Sequence, residues 1–245
     1  MDLQNEFAKE GNFLFRYRSY LPLVILVIGI GIYIYQVVFL KNFPKQSSVY
    51  ELICFAIAIF GLAIRVYTLG FVAPKTSGRN TTKQIAKSLN TTGIYSMVRH
   101  PLYLGNYFMW LGIVLFIGNF WFALTFSLAY WLYYERIMYA EEQFLKGKFG
   151  QEYTDWANIT PAFIPSFKNF VPPQGQFNWR KVLVQEKNGL LAIFLILAAL
   201  EAFEILWTKE LQLDGDEYFF SIGLVLSVIF YFIFKYIKIK DRQKV

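Results

Sequence analysis

Gly93-Ile94-Tyr95-Ser96-Met97-Val98-Arg99-His100-Pro101-Leu102-Tyr103-Leu104-Gly105-Asn106 closes a polar, basic loop and opens an apolar helix. It holds the only histidine in 245 residues. Proline is preorganised for a first helical turn, where its missing N–H costs nothing. It also keeps the preceding residue extended. The stretch therefore predicts a helix opening at Pro101, with the backbone of Val98 to His100 free to meet a ligand. Two apolar segments follow, Leu102 to Gly118 and Phe120 to Tyr134, which read as a hairpin turning at Asn119. Charge returns at Arg136, and Glu141-Glu142-Gln143-Phe144-Leu145 runs on to Phe149-Gly150-Gln151-Glu152-Tyr153. The hairpin brings Arg-His-Pro and Glu-Glu to one edge of a membrane.

Further apolar runs lie on both sides. Leu21 to Leu40 and Val49 to Leu69 are each about long enough to cross ~30 Å of hydrocarbon. Gly189 to Trp207 and Tyr218 to Phe234 add two more. The chain is 56% hydrophobic and 20% aromatic with only 17% charged residues, which is membrane composition. The reading is an all-α, polytopic membrane protein with about six transmembrane helices and a cytoplasm-facing catalytic region. The first run is too long for a signal-peptide core and lacks a small-residue cleavage site. Three parts are expected: a membrane core over residues 1–170 with four apolar helices, a linker over 171–188 around Pro172-Pro173-Gln174-Gly175, and two appended helices over 189–245. The polar loop from Pro74 has helix-forming content around Thr82 to Leu89. Phe144, Leu145, Phe149, Tyr153 and Trp156 fall near a 3.6-residue period, so an amphipathic helix is expected over Glu141 to Trp156, ended by Pro161 and Pro165.

Loop charge sets orientation. Lys9, Arg16 and Arg18 precede the first run, five cations including Arg99 occupy the loop from Pro74 to Pro101, and the stretch from Arg136 to Asn188 and the C-terminal tail are also basic. On the opposite side stand only Lys41, Lys45 and Lys209, with Arg65 inside a run. The positive-inside rule places both termini and both motifs in the cytoplasm. The net charge of +7 then reflects topology and contact with anionic lipid, and nucleic acid is not an expected partner. Asn-x-Thr triplets at Asn80, Asn90 and Asn158 fall on that side and are silent as glycosylation sites. Cys54 stands alone, which excludes a disulfide. A single histidine excludes a zinc site, and no metal is expected.

Each polar residue has a structural as well as a chemical reading. Arg99-His100 serves equally as a polar cap at the membrane face. Adjacent helical positions point about 100° apart, so of Glu141 and Glu142 one can face the site and the other water. A carboxylate here suits an amine or ribose hydroxyls. Arg136 suits an anion, or snorkels from a helix end. Tyr95, Tyr103 and Tyr107 fit an interfacial aromatic belt, but Tyr103 lies one turn after His100 on the same side. Glu201 and Glu204, deep in the fifth run, are expected to be exposed at the outer interface.

Gly93-x-Tyr95, Arg99-His100-Pro101-x-Tyr103-x-Gly105, the hairpin, Glu141-Glu142-x-x-Leu145 and Phe149-Gly150-x-x-Tyr153 together resemble the isoprenylcysteine carboxyl methyltransferase family, whose core bacterial relatives and phospholipid methyltransferases share. The resemblance covers about Gly93 to Pro165, weakens to Gly61-x-x-x-Arg65 and Leu69-Gly70 upstream, and does not reach the last two runs. It implies an S-adenosylmethionine-dependent methyltransferase with a cytoplasm-facing pocket open sideways to lipid, in a bacterial inner (plasma) membrane. Carried over, Tyr95, His100, Pro101, Leu102 and Tyr103 line the cofactor with Leu89 and Asn90 just before them, while Glu141, with Glu142 beside it, holds its polar end. Arg136 and Glu141 are the residues expected to act on the reaction. One position departs from the pattern. The family often has an arginine four residues before the first glutamate, and here that residue is Ile137, with Arg136 one step away.

Methyl transfer from a sulfonium is an in-line displacement served by positioning and desolvation. An anionic oxygen needs no general base, so the favoured acceptor is a lipid phosphate or a carboxylate on a membrane lipid or lipidated molecule. The alternatives are phospholipid N-methylation, an NADPH-dependent sterol-type reductase, and a non-catalytic lipid-binding protein.

Overall fold

A computed structural model describes residues 2–40, 47–72, 84, 86–208 and 218–242. The described residues are helical and contain no strand. Eight α-helices follow one another among the described residues: α1 Leu3–Tyr17, α2 Leu21–Phe39, α3 Ser48–Phe71, α4 Pro101–Phe116, α5 Phe120–Phe149, α6 Gln151–Ile159, α7 Trp179–Thr208 and α8 Phe219–Arg242. Much of the Pro74–Asn90 loop lies outside the described residues, as do Lys41, Lys45 and Lys209. Of the helix expected over Thr82 to Leu89, the described residues are not helical.

Among the described residues, four helices are long and apolar enough to cross a membrane: α2, α3, α7 and residues 219–240 of α8. Of the six or so expected, these four meet the length and composition of a span. Helix α4 has 16 residues, or about 24 Å at 1.5 Å per residue, short of a bilayer core. Helix α5 turns charged half-way along its 30 residues. It runs unbroken through the Glu-Glu pair to Phe149, so the amphipathic segment is two helices, parted at Gly150 with φ 56. A non-glycine residue resists that left-handed backbone.

Local sequence explains the boundaries. Asn119 caps α5 by accepting the Phe122 N–H at 2.9 Å, after Gly118 at φ 73 completes the turn. Ser47 caps α3 and Asp2 caps α1 in the same way. Small residues then bring α3 and α4 into contact. A side chain on Gly61 would stand 2.4 Å from the Met109 N and 2.5 Å from the Gly105 carbonyl, and one on Gly112 would stand 2.4 Å from the Cys54 carbonyl. Close backbone approach at small residues is how helices associate without a hydrophobic drive between them.

The C-terminal helices share this core. Ile193, Leu197 and Leu200 of α7 and Phe220 of α8 pack with Tyr33, Cys54, Ala58, Leu62 and Ile113. Helix α7 begins at Trp179, within the stretch read as linker. It is tied to α3 by a bidentate pair: Arg65 donates to Glu186 at 2.8 and 2.7 Å and to Asn106 Oδ1 at 2.7 Å. A fork-on-carboxylate pair at this burial fixes orientation as well as distance. At the other end Tyr33 donates to Glu204 at 2.5 Å, and Glu201 is 9% exposed. Glu201 is therefore buried in a helix interface, contrary to the expected interfacial exposure.

The sequence reading missed α1. Asp2, Phe7, Gly11, Phe15 and Arg18 recur at helical spacing, and the helix lies along the charged half of α5. A side chain on Gly11 would stand 2.1 Å from the Arg136 carbonyl. Tyr133 donates to the Leu14 carbonyl at 3.1 Å.

Candidate active site

The single histidine sits where the sequence placed it. His100 is the N-cap of α4 with φ −122 and ψ 59, Pro101 occupies the first turn, and the imidazole is buried. Its Nε2 stands 3.0 Å from Glu142 Oε1 and its Nδ1 stands 3.7 Å from Glu141 Oε2. Tyr103, one turn on, donates to Glu141 Oε1 at 2.9 Å and stacks on the imidazole at 5.8 Å. Both glutamates therefore turn toward His100, which corrects the expectation that one would face water. Helix α4 supplies the ring pair, and α5 returns from the hairpin with the carboxylate pair.

The two carboxylates differ in their surroundings. Burial pushes Glu141 above the usual carboxylate range, against the opposing pull of His100, Tyr103 and Arg18. Glu142 also feels burial, but its bond with His100 and the nearby Arg99 outweigh it and hold the group below that range. Arg99 Nε stands 3.0 Å from Glu142 Oε1, too poorly aligned for a hydrogen bond, while its Nη1 donates to the Ala157 carbonyl at 3.1 Å. The Tyr153 hydroxyl is buried beside Glu142 without a well-aligned partner. Burial and Glu141 raise the Tyr95 hydroxyl, which puts that ring within electrostatic reach of the same carboxylate.

Beneath the site lies an aromatic floor. Tyr103 packs on Tyr134 at 4.8 Å, Tyr134 stacks on Tyr130 at 4.2 Å, and Tyr130 donates to the Tyr103 carbonyl at 2.7 Å. Trp156 of α6 donates to the Tyr95 carbonyl at 3.0 Å, locking the turn at Gly93–Ser96 onto α6. Tyr130, Tyr134 and Trp156 were not singled out as site residues. The first two recur at an i, i+4 spacing along α5, which was the available signal.

His100, Tyr103, Glu141 and Glu142 are thus brought together, with Pro101 opening the same helix and Tyr95 in the turn before it. Leu102 is half-buried beside them in the first turn of α4. Leu89 is half-buried upstream, and Asn90 lines a cavity of about 20 Å³ with Tyr67, Phe71, Thr92 and Tyr95. That volume suits one water and not a nucleoside. Arg136 goes elsewhere: it donates to Glu10 at 2.8 Å and to the Leu132 carbonyl, and lies over the Phe7 ring at 4.9 Å. Ile137, fully buried, faces the Tyr103 cluster instead. The one-residue offset has turned Arg136 by about 100° onto α1. Arg18, at the end of α1, stands on the pocket side. Its guanidinium lies 3.8 Å over Phe15, which packs with Tyr103, Tyr134 and Ile137, and its charge is felt at Glu141.

Comparison with known proteins follows the same core. The sequence profile of the phospholipid methyltransferases matches residues 50–152. A protein-S-isoprenylcysteine O-methyltransferase of Schizosaccharomyces pombe is 41% identical over 78 residues, 31% of this chain and 33% of that protein. Protein-S-isoprenylcysteine O-methyltransferase B of Arabidopsis thaliana is 30% identical over 151 residues, 57% of this chain and 71% of that protein. The chain belongs to the isoprenylcysteine carboxyl methyltransferase family. A nickel-cobalt-cadmium resistance protein of Alcaligenes xylosoxydans xylosoxydans is also similar, 34% identical over 111 residues, 44% of this chain. The matched stretches span 33% and 49% of the yeast and Alcaligenes proteins. No solved structure matches. The phospholipid methyltransferase profile runs from α3 to the start of α6, so it takes in the whole His100–Glu142 constellation and stops before α7.

Proposed function

We propose that this protein is an S-adenosylmethionine-dependent methyltransferase acting on an anionic oxygen, a carboxylate or phosphate, of a membrane-embedded acceptor. The observation that carries the reading is the convergence of His100, Tyr103, Glu141 and Glu142 at one end of the α4–α5 hairpin. Its polar set suits the cofactor: a carboxylate held by Tyr103, an unaligned buried tyrosine hydroxyl and an imidazole between two glutamates. When bound, S-adenosylmethionine supplies an electrophilic methyl group on a sulfonium. Glu141 and Tyr103 are the groups to hold its polar end, and Tyr95 and the Pro101–Leu102 turn to line it. Glu142 fixes the His100 ring and is itself held by Arg99. The aromatic floor of Tyr103, Tyr130 and Tyr134 excludes water, which favours displacement at a desolvated carbon.

The acceptor's anion needs a cation on the pocket side. Arg18 is our choice, in place of Arg136, because its charge reaches Glu141 whereas Arg136 is turned onto α1. The basic ends of the helices support a cytoplasmic site and cytoplasmic termini. Titrating the purified protein with S-adenosylmethionine and with NADPH tests the reading, followed by a labelled-methyl assay on lipid extracts. Saturable binding of S-adenosylmethionine and a methyl label recovered on oxygen, base-labile where the acceptor is a carboxylate, support it. Binding of NADPH alone favours a reductase, and a base-stable methylamine product moves the acceptor to nitrogen.

A further inference from the structure

The segment between α6 and α7 is irregular, yet it exposes large apolar side chains. Ile164 is 74% and Phe167 76% exposed, and Phe170 and Val171 are exposed beside them. In water such a strip has no physical excuse.

The strip's position explains it. Phe163 packs on Trp131 of α5 at 4.6 Å and on Tyr107 of α4 at 6.3 Å. Gly61 meets α4 between Gly105 and Met109, which puts Tyr107 level with Gly61. Ten residues separate Gly61 from the end of α3 at Phe71, or about 15 Å of helix. Phe163 therefore stands about half-way along a helix long enough to span a bilayer. Trp131, and Leu128 and Leu132 flanking it, are exposed on the outside of α5, so the strip continues the outer apolar surface of the bundle.

Irregular backbone tolerates that depth only where its polar groups are satisfied by protein. Here the backbone faces the catalytic turn. Arg99 N–H donates to the Pro161 carbonyl and Ser166 N–H to the Met97 carbonyl, both at 2.9 Å. Gly93 N–H donates to the Val171 carbonyl at 2.8 Å, and Val171 N–H donates to Ser96 Oγ at 2.9 Å. Pro161 and Pro165 bring no N–H at all. We propose that residues 161–171 form a re-entrant loop embedded in the leaflet that borders the His100 site, with Ile164 and Phe167 among the acyl chains of the bilayer. Its inner edge is bonded to the Gly93–His100 turn, so the catalytic turn is held by a segment that lipid contacts directly.

The test uses the full chain in nanodiscs of phosphatidylcholine and phosphatidylglycerol, and needs neither cofactor nor acceptor, so it stands apart from the methyltransferase reading. Cys54 is buried, so an environment-sensitive fluorophore reports single cysteines at Ile164→Cys and Phe167→Cys, with Glu152→Cys on exposed α6 as the aqueous reference. Lipids spin-labelled at mid-chain should quench the two loop probes several-fold more than the reference, and aqueous iodide should do the reverse. Iodide quenching of both loop probes equal to that at position 152, with no effect of spin-labelled lipid, overturns the proposal. The replaced side chains are exposed, and an unchanged helical circular dichroism spectrum confirms that each labelled variant is folded.

Discussion

Glu141 and Glu142 are neighbours in sequence, and the structure predicts opposite consequences for removing them. Glu142 is 22% exposed and holds two partners, His100 Nε2 and Arg99 Nε, each at 3.0 Å. A hydrogen bond to a charged group is worth about 1.5–3 kcal/mol. Breaking a buried pair strands the partner, at about 3–5 kcal/mol when burial is complete. Residual solvent exposure reduces this, and about 3 kcal/mol is expected for Glu142→Ala. At roughly 2–4 °C per kcal/mol for a chain of this size, the apparent melting temperature in detergent should fall by about 6–12 °C. Glu141 is different, because burial already disfavours its charge. Glu141→Gln keeps an acceptor for the Tyr103 hydroxyl and should melt within about 1 kcal/mol of the parent. It does remove the charge that faces a cationic methyl donor, so affinity for S-adenosylmethionine should fall at least about tenfold, from the same hydrogen-bond range. Thermal melts with and without ligand, and calorimetric titration, measure both quantities. Equal melting of the two variants, or unchanged donor affinity in Glu141→Gln, would refute the assignment of roles.

Other expectations follow from the same geometry. Arg18→Ala should cut methyl transfer at least about tenfold with donor affinity intact, whereas Arg136→Ala, which loses a half-exposed pair worth about 1 kcal/mol or less, should turn over within about threefold of the parent. Gly61→Val places a branched side chain where a Cβ already meets the α4 backbone at 2.4 Å, and should abolish a monodisperse, cooperatively melting protein. Acidification should weaken the site in a particular direction. Glu142 has a folded pKa below its ordinary 4.5, so its stabilisation is full above that value and is lost as pH falls through the lowered one. Melting temperature should drop below about pH 4.5, and Glu142→Gln should flatten that part of the profile.

The apolar runs, the hairpin and the start of α4 were legible because they are set locally. Proline at a first turn, asparagine at a cap and a continuous apolar stretch each act within a few residues, and lipid demands internally bonded backbone whatever the neighbours. The convergence of His100 with Glu141 was legible for a related reason, since a hairpin brings its ends together once its two arms match in length. Of the six apolar runs, four form helices with the length and composition of a span. Helix α4, at 16 residues, falls short, and α5 carries its charged half onward without a break.

What tertiary structure alone decided is where each side chain turns once helices meet. Arg136 and Ile137 differ by one position, and only the packing of α1 against α5 shows which of them faces Tyr103. Arg65 and Glu186 are 121 residues apart, and nothing in either stretch marks the other. Glu201 looked like an interfacial carboxylate, and only the fold shows that it is buried. The irregular loop at 161–171 acquires meaning only from the depth at which Phe163 meets Tyr107. Local propensity and hydropathy act along the chain, whereas rotation about a helix axis, partner choice and depth are set by contacts between segments that the chain order does not record.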